Sequence, residues 1–188
     1  MTQCKFYYDF GSPNSYLSHL IIPKIEKRNK ISFDYIPILL GGIFKLTGNV
    51  SPIESLRGVK NKAEYLETET NRFLKEHKLT NYTFNPDFPL NTLNLMRGAV
   101  FAKSKPYYKE YVDAIYKSMW AIPKKVDEEE IFKTVLTEAR LPMDDILQGV
   151  RDKNIKDVLI ENTNAAVSNG VFGSPTFFVD NEMFFGKD

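Results

Sequence analysis

Residues 9–17 read DFGSPNSYL, and this stretch decides the fold. The aromatic run CKFYYDF at 4–10 overlaps it and predicts a buried strand that stops at Gly11. A helix is predicted to start next, because Ser12 is a favoured N-cap residue and Pro13 takes the first helical position, where a missing N–H has no cost. Apolar residues then recur at the spacing of a helix.

A second strand is predicted after this helix. The segment ISFDYIPIL at 31–39 is rich in β-branched and aromatic residues. A strand, a helix and a strand within about 35 residues form a βαβ unit, and its right-handed crossover makes the two strands parallel. Pro23, inside the helix, is expected to introduce a bend.

Helical patterns fill the middle of the chain, and a hairpin closes it. The sequence predicts five or six helices between 43 and 166, and two short strands, TFFVD at 176–180 and EMFFG at 182–186. This order predicts an α/β, thioredoxin-like fold with an all-helical insertion. Residues 1–42 and 167–188 would form a discontinuous thioredoxin-like domain, with the insertion domain at 43–166.

Composition limits the function classes. The 25 Lys and Arg residues against 24 Asp and Glu residues give a formal net charge of +1, so no basic field is available to hold a nucleic acid. The single cysteine, Cys4, can form neither an internal disulfide nor a CxxC pair, which indicates a reducing compartment. No signal peptide is recognisable, and the apolar stretch at 36–44 is too short to span a bilayer. We therefore expect a cytoplasmic protein without nucleic-acid or membrane partners.

The position of Ser12 indicates a particular chemistry. A helix N-terminus offers unpaired N–H groups and the positive end of the helix dipole, and together with a hydroxyl donor these stabilise a thiolate. Lowering the pKa of a thiol from about 8.5 to about 7 requires roughly 2 kcal/mol. Because no cysteine lies here, the thiol would have to arrive on a ligand. The alternative is that Ser12 only caps its helix.

Three blocks of the sequence resemble one enzyme family. FYYDFGSPNSYL at 6–17, LLGGIFKLTGN at 39–49 and GVFGSPTFFVDNEMFFGKD at 170–188 are similar to the signature blocks of the 2-hydroxychromene-2-carboxylate isomerase and kappa-class glutathione transferase family. The blocks cover essentially the whole chain in the family's order. The resemblance implies a DsbA-like fold, glutathione as cofactor, a small electrophilic substrate derived from an aromatic compound, and a homodimer.

The resemblance also implies roles for single residues. Ser12 would hold the glutathione sulfur where redox relatives have a cysteine, and Asn49 would lie near the thiol. On the sequence alone, Asn49 would be interpreted as part of a turn. Ser174 would pair with the cysteinyl unit through its main-chain N–H and C=O, so its side chain is expected to be incidental. Pro175, which follows it, is a candidate for a cis peptide bond and for cofactor contact.

Two charged residues would hold the ends of glutathione. Asp188 matches the aspartate of a G-x-D-R run and is expected to bind the γ-glutamyl ammonium. Lys62 is a candidate for the glycyl carboxylate, although a lone helical lysine is usually solvated. The family pattern continues with arginine and a closing helix, so a chain that ended at Asp188 would be expected to have a flexible terminus and weaker glutathione binding. His19 and His77 have no third ligand nearby in sequence and indicate no metal site.

Several activities fit these residues. In the favoured one, a glutathione-dependent isomerase, the thiolate adds to a conjugated C=C bond and is expelled after rotation about the resulting single bond. A kappa-type glutathione S-transferase would release the adduct instead. A DsbA-like dithiol oxidoreductase needs cysteines at Ser12 and Ser15, and a non-catalytic thioredoxin-fold module would bind an extended peptide at the proline turn.

Overall fold

The computed structural model describes residues 2–188, which form four strands and nine helices. The strands are β1 (Cys4–Tyr8), β2 (Phe33–Pro37), β3 (Thr176–Val179) and β4 (Glu182–Phe185). The helices are α1 (Pro13–Asn29), α2 (Leu40–Thr47), α3 (Pro52–Leu56), α4 (Lys62–His77), α5 (Leu93–Ala102), α6 (Tyr108–Trp120), α7 (Glu129–Glu138), α8 (Met143–Arg151) and α9 (Lys153–Ser168). Within residues 2–188 none of these helices is long and apolar enough to cross a membrane.

The strands form one mixed sheet in the order β2-β1-β3-β4. β1 pairs with β2 in parallel, as the βαβ interpretation predicts, and with β3 in antiparallel orientation. β3 and β4 form the predicted hairpin. Because β3 runs against β1, the end of β1 lies beside the start of β3, with Tyr7 opposite Thr176. This pairing brings the turn that precedes β3 to the N-terminus of α1.

Alternation along β1 divides the apolar core between the two faces of the sheet. Phe6 and Tyr8 belong to the larger core cluster, which includes side chains of α1 and of the helices α5 to α9. Tyr7 points to the opposite face, into a smaller cluster that includes Ile43 of α2 and Ala166 of α9. Successive side chains of a strand face opposite ways, which is why apolar side chains occupy both faces of β1 from Phe6 to Tyr8.

Helix α1 begins as its sequence predicts. Ser12 is its N-cap in an extended conformation, and its side-chain oxygen accepts a hydrogen bond from the Ser15 N–H. Pro13 is the first helical residue, and the helix continues through Pro23. Lys30 ends it in the left-handed conformation, with its N–H bonded to a carbonyl of the last turn.

The helical region differs from the prediction in its boundaries. The predicted strand at 31–39 ends at Pro37, and the following LLGG starts helix α2 instead. Six helices, α3 to α8, lie wholly within 43–166, while α2 and α9 extend across the two predicted domain boundaries. The division into two domains stays a prediction. Trp120 is buried in the core, where its Nε1 donates to the Phe10 carbonyl at 2.7 Å.

Candidate functional site

The N-cap of α1 lies against the turn that precedes β3. The Ser12 hydroxyl donates to the main-chain carbonyl of Ser174 at 2.8 Å, across 162 residues of sequence. The same oxygen accepts from the Ser15 N–H at 3.2 Å. The hydroxyl therefore caps the helix and binds the turn at the same time, and it is almost fully buried in doing so.

Three hydroxyl groups meet at this point, and we call Ser12, Ser15 and Ser174 the serine cluster. The oxygens of Ser15 and Ser174 are 2.7 Å apart, and the Ser174 Oγ also accepts from the N–H of Asp9 at 3.1 Å. Ser15 is completely buried. The Ser174 hydroxyl has a structural role, because it joins the end of β1 to α1; that this side chain is incidental to cofactor binding stays a prediction. The cluster contains only neutral groups.

The main chain of Ser174 is the open part of this turn. The Ser174–Pro175 peptide bond is cis, as predicted, and a second cis bond, not predicted, joins Phe88 to Pro89. The Ser174 carbonyl is held by the Ser12 hydroxyl, whereas its N–H has no hydrogen-bond partner among residues 2–188. An extended main chain could therefore pair with the Ser174 N–H, since an unpaired main-chain group at an edge accepts a strand.

Asn49 reaches the same turn from another direction. Gly48, in the left-handed conformation, ends α2 and directs the chain toward residues 172–174. The Asn49 side-chain amide then donates to the Phe172 carbonyl at 2.8 Å, while its oxygen accepts from the Val50 N–H. The structure thus brings Asn49 to the turn that carries Ser174. Its observed contact is with the backbone of that turn.

Asp9 is a buried carboxylate that the sequence reasoning missed. One oxygen accepts from the Gly11 N–H at 2.8 Å, and the other accepts from the N–H of Leu40, the first residue of α2, at 2.7 Å. Burial raises the pKa of the Asp9 carboxyl above its ordinary value, and the bonds from Leu40 and Gly11 only partly oppose this effect. An acidic residue at the end of an apolar strand is the signal that could have identified it.

The two charged residues implied for glutathione lie near helix α4. Lys62 is the exposed first residue of α4, and its side chain makes no hydrogen bond or ion pair among residues 2–188. Asp188 is exposed, and its carboxylate accepts from the ammonium of Lys187 at 3.0 Å and 3.1 Å. Lys187 is itself buried, paired with Glu69 of α4 and placed over the ring of Phe73. The end of the sequence is thereby tied to α4, but in the part of the chain that the structure describes no hydrogen bond or ion pair joins Lys62 or Asp188 to the serine cluster.

A second polar cluster lies farther along α1, and we call His19, Tyr35 and Asp113 the histidine cluster. The His19 Nδ1 is 2.9 Å from the Tyr35 hydroxyl, and its Nε2 is 2.9 Å from Asp113 Oδ1. The imidazole also stacks on the Tyr116 ring. Burial acts to raise the pKa of Asp113, but hydrogen bonds from His19 and Lys109 outweigh it and lower that pKa. This cluster joins α1, β2 and α6.

The comparison with protein families decides the family. A model of the DSBA-like thioredoxin domain matches residues 3–188. The chain belongs to the DSBA-like thioredoxin family. The sheet, with its flanking helices and a cis proline beside the N-terminus of α1, agrees with that assignment, and the predicted thioredoxin-like fold with helical additions is confirmed.

Curated relatives within this family share the whole length of the chain. A 2-hydroxychromene-2-carboxylate isomerase of Sphingobium xenophagum is 27% identical over 183 residues, covering 97% of this chain and 91% of the relative. Glutathione S-transferase kappa 1 of Caenorhabditis elegans is 24% identical, covering 97% and 85%. The resemblance of the three sequence blocks to these enzymes is confirmed.

Solved structures show the same relationship. A 2-hydroxychromene-2-carboxylate isomerase superposes with a TM-score of 0.84 at 25% identity, covering 98% of this chain and 89% of the other. A probable DsbA oxidoreductase of Streptomyces coelicolor superposes with a TM-score of 0.72 at 16% identity, covering 100% and 85%. The second likeness concerns the fold alone, because the DSBA-like chain described here has serines where a dithiol pair would stand.

Proposed function

We propose that this DSBA-like protein is a glutathione-dependent isomerase similar to 2-hydroxychromene-2-carboxylate isomerase. The observation that carries the proposal is the Ser12 hydroxyl, buried at the N-terminus of α1 and directed at the main chain of Ser174. The relatives supply the reaction class: isomerases at 26 to 27% identity, and kappa-class glutathione transferases at 24 to 26%.

The nucleophile in this proposal is the thiolate of bound glutathione. The chain's own thiol is unsuitable, because Cys4 is buried in β1 and burial raises the pKa of that thiol. A sulfur near Ser12 would face the positive end of the α1 dipole, which contributes about 0.3 to 1 kcal/mol. One charge-assisted hydrogen bond from the hydroxyl adds about 1.5 to 3 kcal/mol. Together they supply the roughly 2 kcal/mol that a neutral-pH thiolate requires.

The remaining implied residues support the rest of the ligand. Ser174 offers main-chain groups for the cysteinyl unit, and Pro175 fixes their direction. Asn49 holds the turn through the Phe172 carbonyl. Asp188 and Lys62 are assigned to the γ-glutamyl ammonium and the glycyl carboxylate, because each carries the opposite charge to the group it would bind.

In the isomerase reaction, the thiolate adds to a conjugated C=C bond of the substrate and the ring opens. Rotation about the new single bond and expulsion of the thiolate give the isomer and regenerate glutathione. A kappa-type transferase would keep the C–S bond and consume one glutathione for each product. Turnover with far less glutathione than substrate therefore separates the two activities, and product analysis by mass spectrometry detects any adduct.

The first test is titration of glutathione into the wild type and into Ser12→Ala, with thiolate followed by absorbance near about 240 nm. We expect the wild type to bind and ionise the thiol, and Ser12→Ala to lose at least about tenfold in the ionisation constant, the equivalent of 1.4 kcal/mol. Ser18→Ala is the matched control, since Ser18 is buried on the same helix but bonds only its own helix at Asn14. Absence of glutathione binding to the wild type would reject the proposal.

The protein is further proposed to be a homodimer. Support comes from the family resemblance and from apolar side chains in the segment from α2 to α4 that are about half exposed, among them Leu46, Val50 and Ile53. Light scattering coupled to size-exclusion chromatography measures the mass directly. A single species near 21.7 kDa would contradict the dimer.

A further inference from the structure

The Ser12 hydroxyl has only one proton, and in this structure that proton is already in use. It is donated to the Ser174 carbonyl at 2.8 Å, while a lone pair of the same oxygen accepts from the Ser15 N–H. A hydroxyl is a single donor. To donate to a thiolate, Ser12 must therefore turn away from the Ser174 carbonyl.

Turning away would leave the carbonyl without its partner. The turn at residues 172–174 cannot easily move with the hydroxyl, because neighbouring groups hold this turn on several sides. The Asn49 amide holds the Phe172 carbonyl, the Ser174 hydroxyl is bonded to the Asp9 N–H, and a side chain at Gly173 would meet the Phe185 ring. An acceptor that loses its hydrogen bond inside a rigid turn opposes the release of the hydroxyl.

The adjacent main chain provides the replacement that such a release requires. The Ser174 N–H has no partner among the residues from 2 to 188, so this residue presents a free donor next to the occupied acceptor. An extended ligand that pairs with both groups would bring its own amide N–H to the carbonyl. Once this N–H has taken the acceptor position on the carbonyl, the hydroxyl is free to turn to the sulfur.

We propose that Ser12 occupies the Ser174 carbonyl in the free protein as a placeholder, and that an amide N–H next to the ligand's thiol displaces it, which releases the hydroxyl to the sulfur. This inference rests on the proposed function, and it specifies which thiols the site ionises. The thiol proton leaves to solvent. A thiol without a neighbouring amide N–H would occupy the site but would not be ionised by Ser12.

The decisive test compares glutathione with its analogue in which an ester oxygen replaces the cysteinyl amide N–H. The pKa of each thiol is measured free and at saturation with the wild type, from its absorbance against pH. We expect at least a tenfold rise in the ionisation constant of glutathione on binding, and less than a twofold rise for the ester. Equal rises for both would overturn the coupling while leaving the proposed function intact. No rise for glutathione would overturn the proposed function itself.

A second experiment tests the placeholder role of Ser12 if the ester analogue does not reach saturation. S-methylglutathione has the amide N–H but no ionisable thiol, so the wild type must displace Ser12 without gaining a bond to sulfur. Ser12→Gly removes the placeholder and keeps most of the N-cap preference. We expect this variant to bind S-methylglutathione at least threefold more tightly than the wild type, measured by calorimetry. Equal or weaker binding would overturn the placeholder role.

Discussion

Helix α1 carries two polar clusters, about two turns apart, that differ in kind. The serine cluster at its N-terminus consists of neutral hydroxyls beside the Ser174 N–H, for which residues 2–188 provide no partner. The histidine cluster at mid-helix contains titratable groups, yet both ring nitrogens of His19 are paired and the ring is stacked. The comparison teaches that an open main-chain donor, rather than an ionisable side chain, distinguishes the serine cluster, which is the binding site that we propose.

The reason lies in how each cluster is satisfied. The histidine cluster closes on itself, because one ring nitrogen of His19 is paired with Asp113 and the other with the Tyr35 hydroxyl, so the ring has no nitrogen left to offer a ligand. The serine cluster lies where the helix field and unpaired N–H groups are available to an arriving anion. The first should therefore affect stability, and the second should affect thiol chemistry.

The largest expected effect tests the structural role of the histidine cluster. His19→Ala removes the partner of the Tyr35 hydroxyl and one of the two partners of the Asp113 carboxylate, and it opens a cavity against Tyr116, so we expect a loss of about 2 to 4 kcal/mol in the free energy of unfolding. Urea denaturation measures it, with His77→Ala as the matched control expected to cost less than about 1 kcal/mol. Folded His19→Ala should still ionise glutathione; loss of ionisation would break the distinction between the clusters.

The next effect concerns the side chain of Ser174. Ser174→Ala removes the partner of the buried Ser15 hydroxyl and of the Asp9 N–H, so we expect a loss of about 1 to 2 kcal/mol in the free energy of unfolding. Thiol ionisation should change less than in Ser12→Ala, because the main chain of Ser174 remains. Ser118→Ala, which removes a bond within one helix, is the control. If Ser174→Ala were as stable as the wild type, the hydrogen bonds of the Ser174 hydroxyl with Ser15 and Asp9 would not contribute to stability as we infer.

A smaller effect is the pH dependence of stability, which should be opposite for Asp113 in the histidine cluster and for Asp9 beside the serine cluster. The pKa of Asp113 is lowered, so the stability it contributes is present above its unfolded value of about 3.9 and is lost as the pH falls through the folded value. The pKa of Asp9 is raised, so its contribution is present below about 3.9 and is lost as the pH rises through the folded value.

Urea denaturation between about pH 3 and about pH 7 measures these contributions. Asp113→Asn should remove part of the decline at the acid end, by less than about 1 kcal/mol, since 42% of that side chain is exposed and solvent screens the pair. Asp9→Asn should remove the loss of stability that appears as the pH rises through the folded pKa of Asp9. If the contributions of Asp113 and Asp9 to stability changed with pH in the same direction, the opposite pKa shifts assigned to them would be wrong.

The smallest effect concerns Asn49. Its amide bond to the Phe172 carbonyl is exposed, so Asn49→Ala should cost about 0.5 kcal/mol in the free energy of unfolding and lower thiol ionisation about twofold. Asn29→Ala, which removes an exposed amide-to-carbonyl bond of the same kind, is the control and should leave the thiol unaffected. A loss above about tenfold would show that Asn49 contacts the sulfur directly.

Much of the architecture follows from local rules. The aromatic strand, the Ser-Pro start of α1 and the closing hairpin are correct in kind, because strand and helix signals depend on neighbouring residues. The boundary at Leu40 was missed, since a short apolar run with two glycines reads equally as a strand end or a helix start. The resemblance of three sequence blocks to a known family predicted the candidate site residues, and the structure shows where these residues lie.

Local sequence rules are enough to establish that a hydroxyl caps a helix directly after a buried strand. The three-dimensional packing establishes that this hydroxyl meets the Ser174 carbonyl and that the Asn49 amide reaches the Phe172 carbonyl. It also establishes that the buried Asp9 carboxylate binds the Leu40 N–H and that the partly buried His19 pairs with Asp113. The physical reason is the distance along the sequence between the interacting residues. Caps and turns are set by residues a few positions apart, whereas these bonds join side chains to partners 31 to 162 residues away, which only the antiparallel pairing of β1 with β3 and the packing of the helices bring within reach.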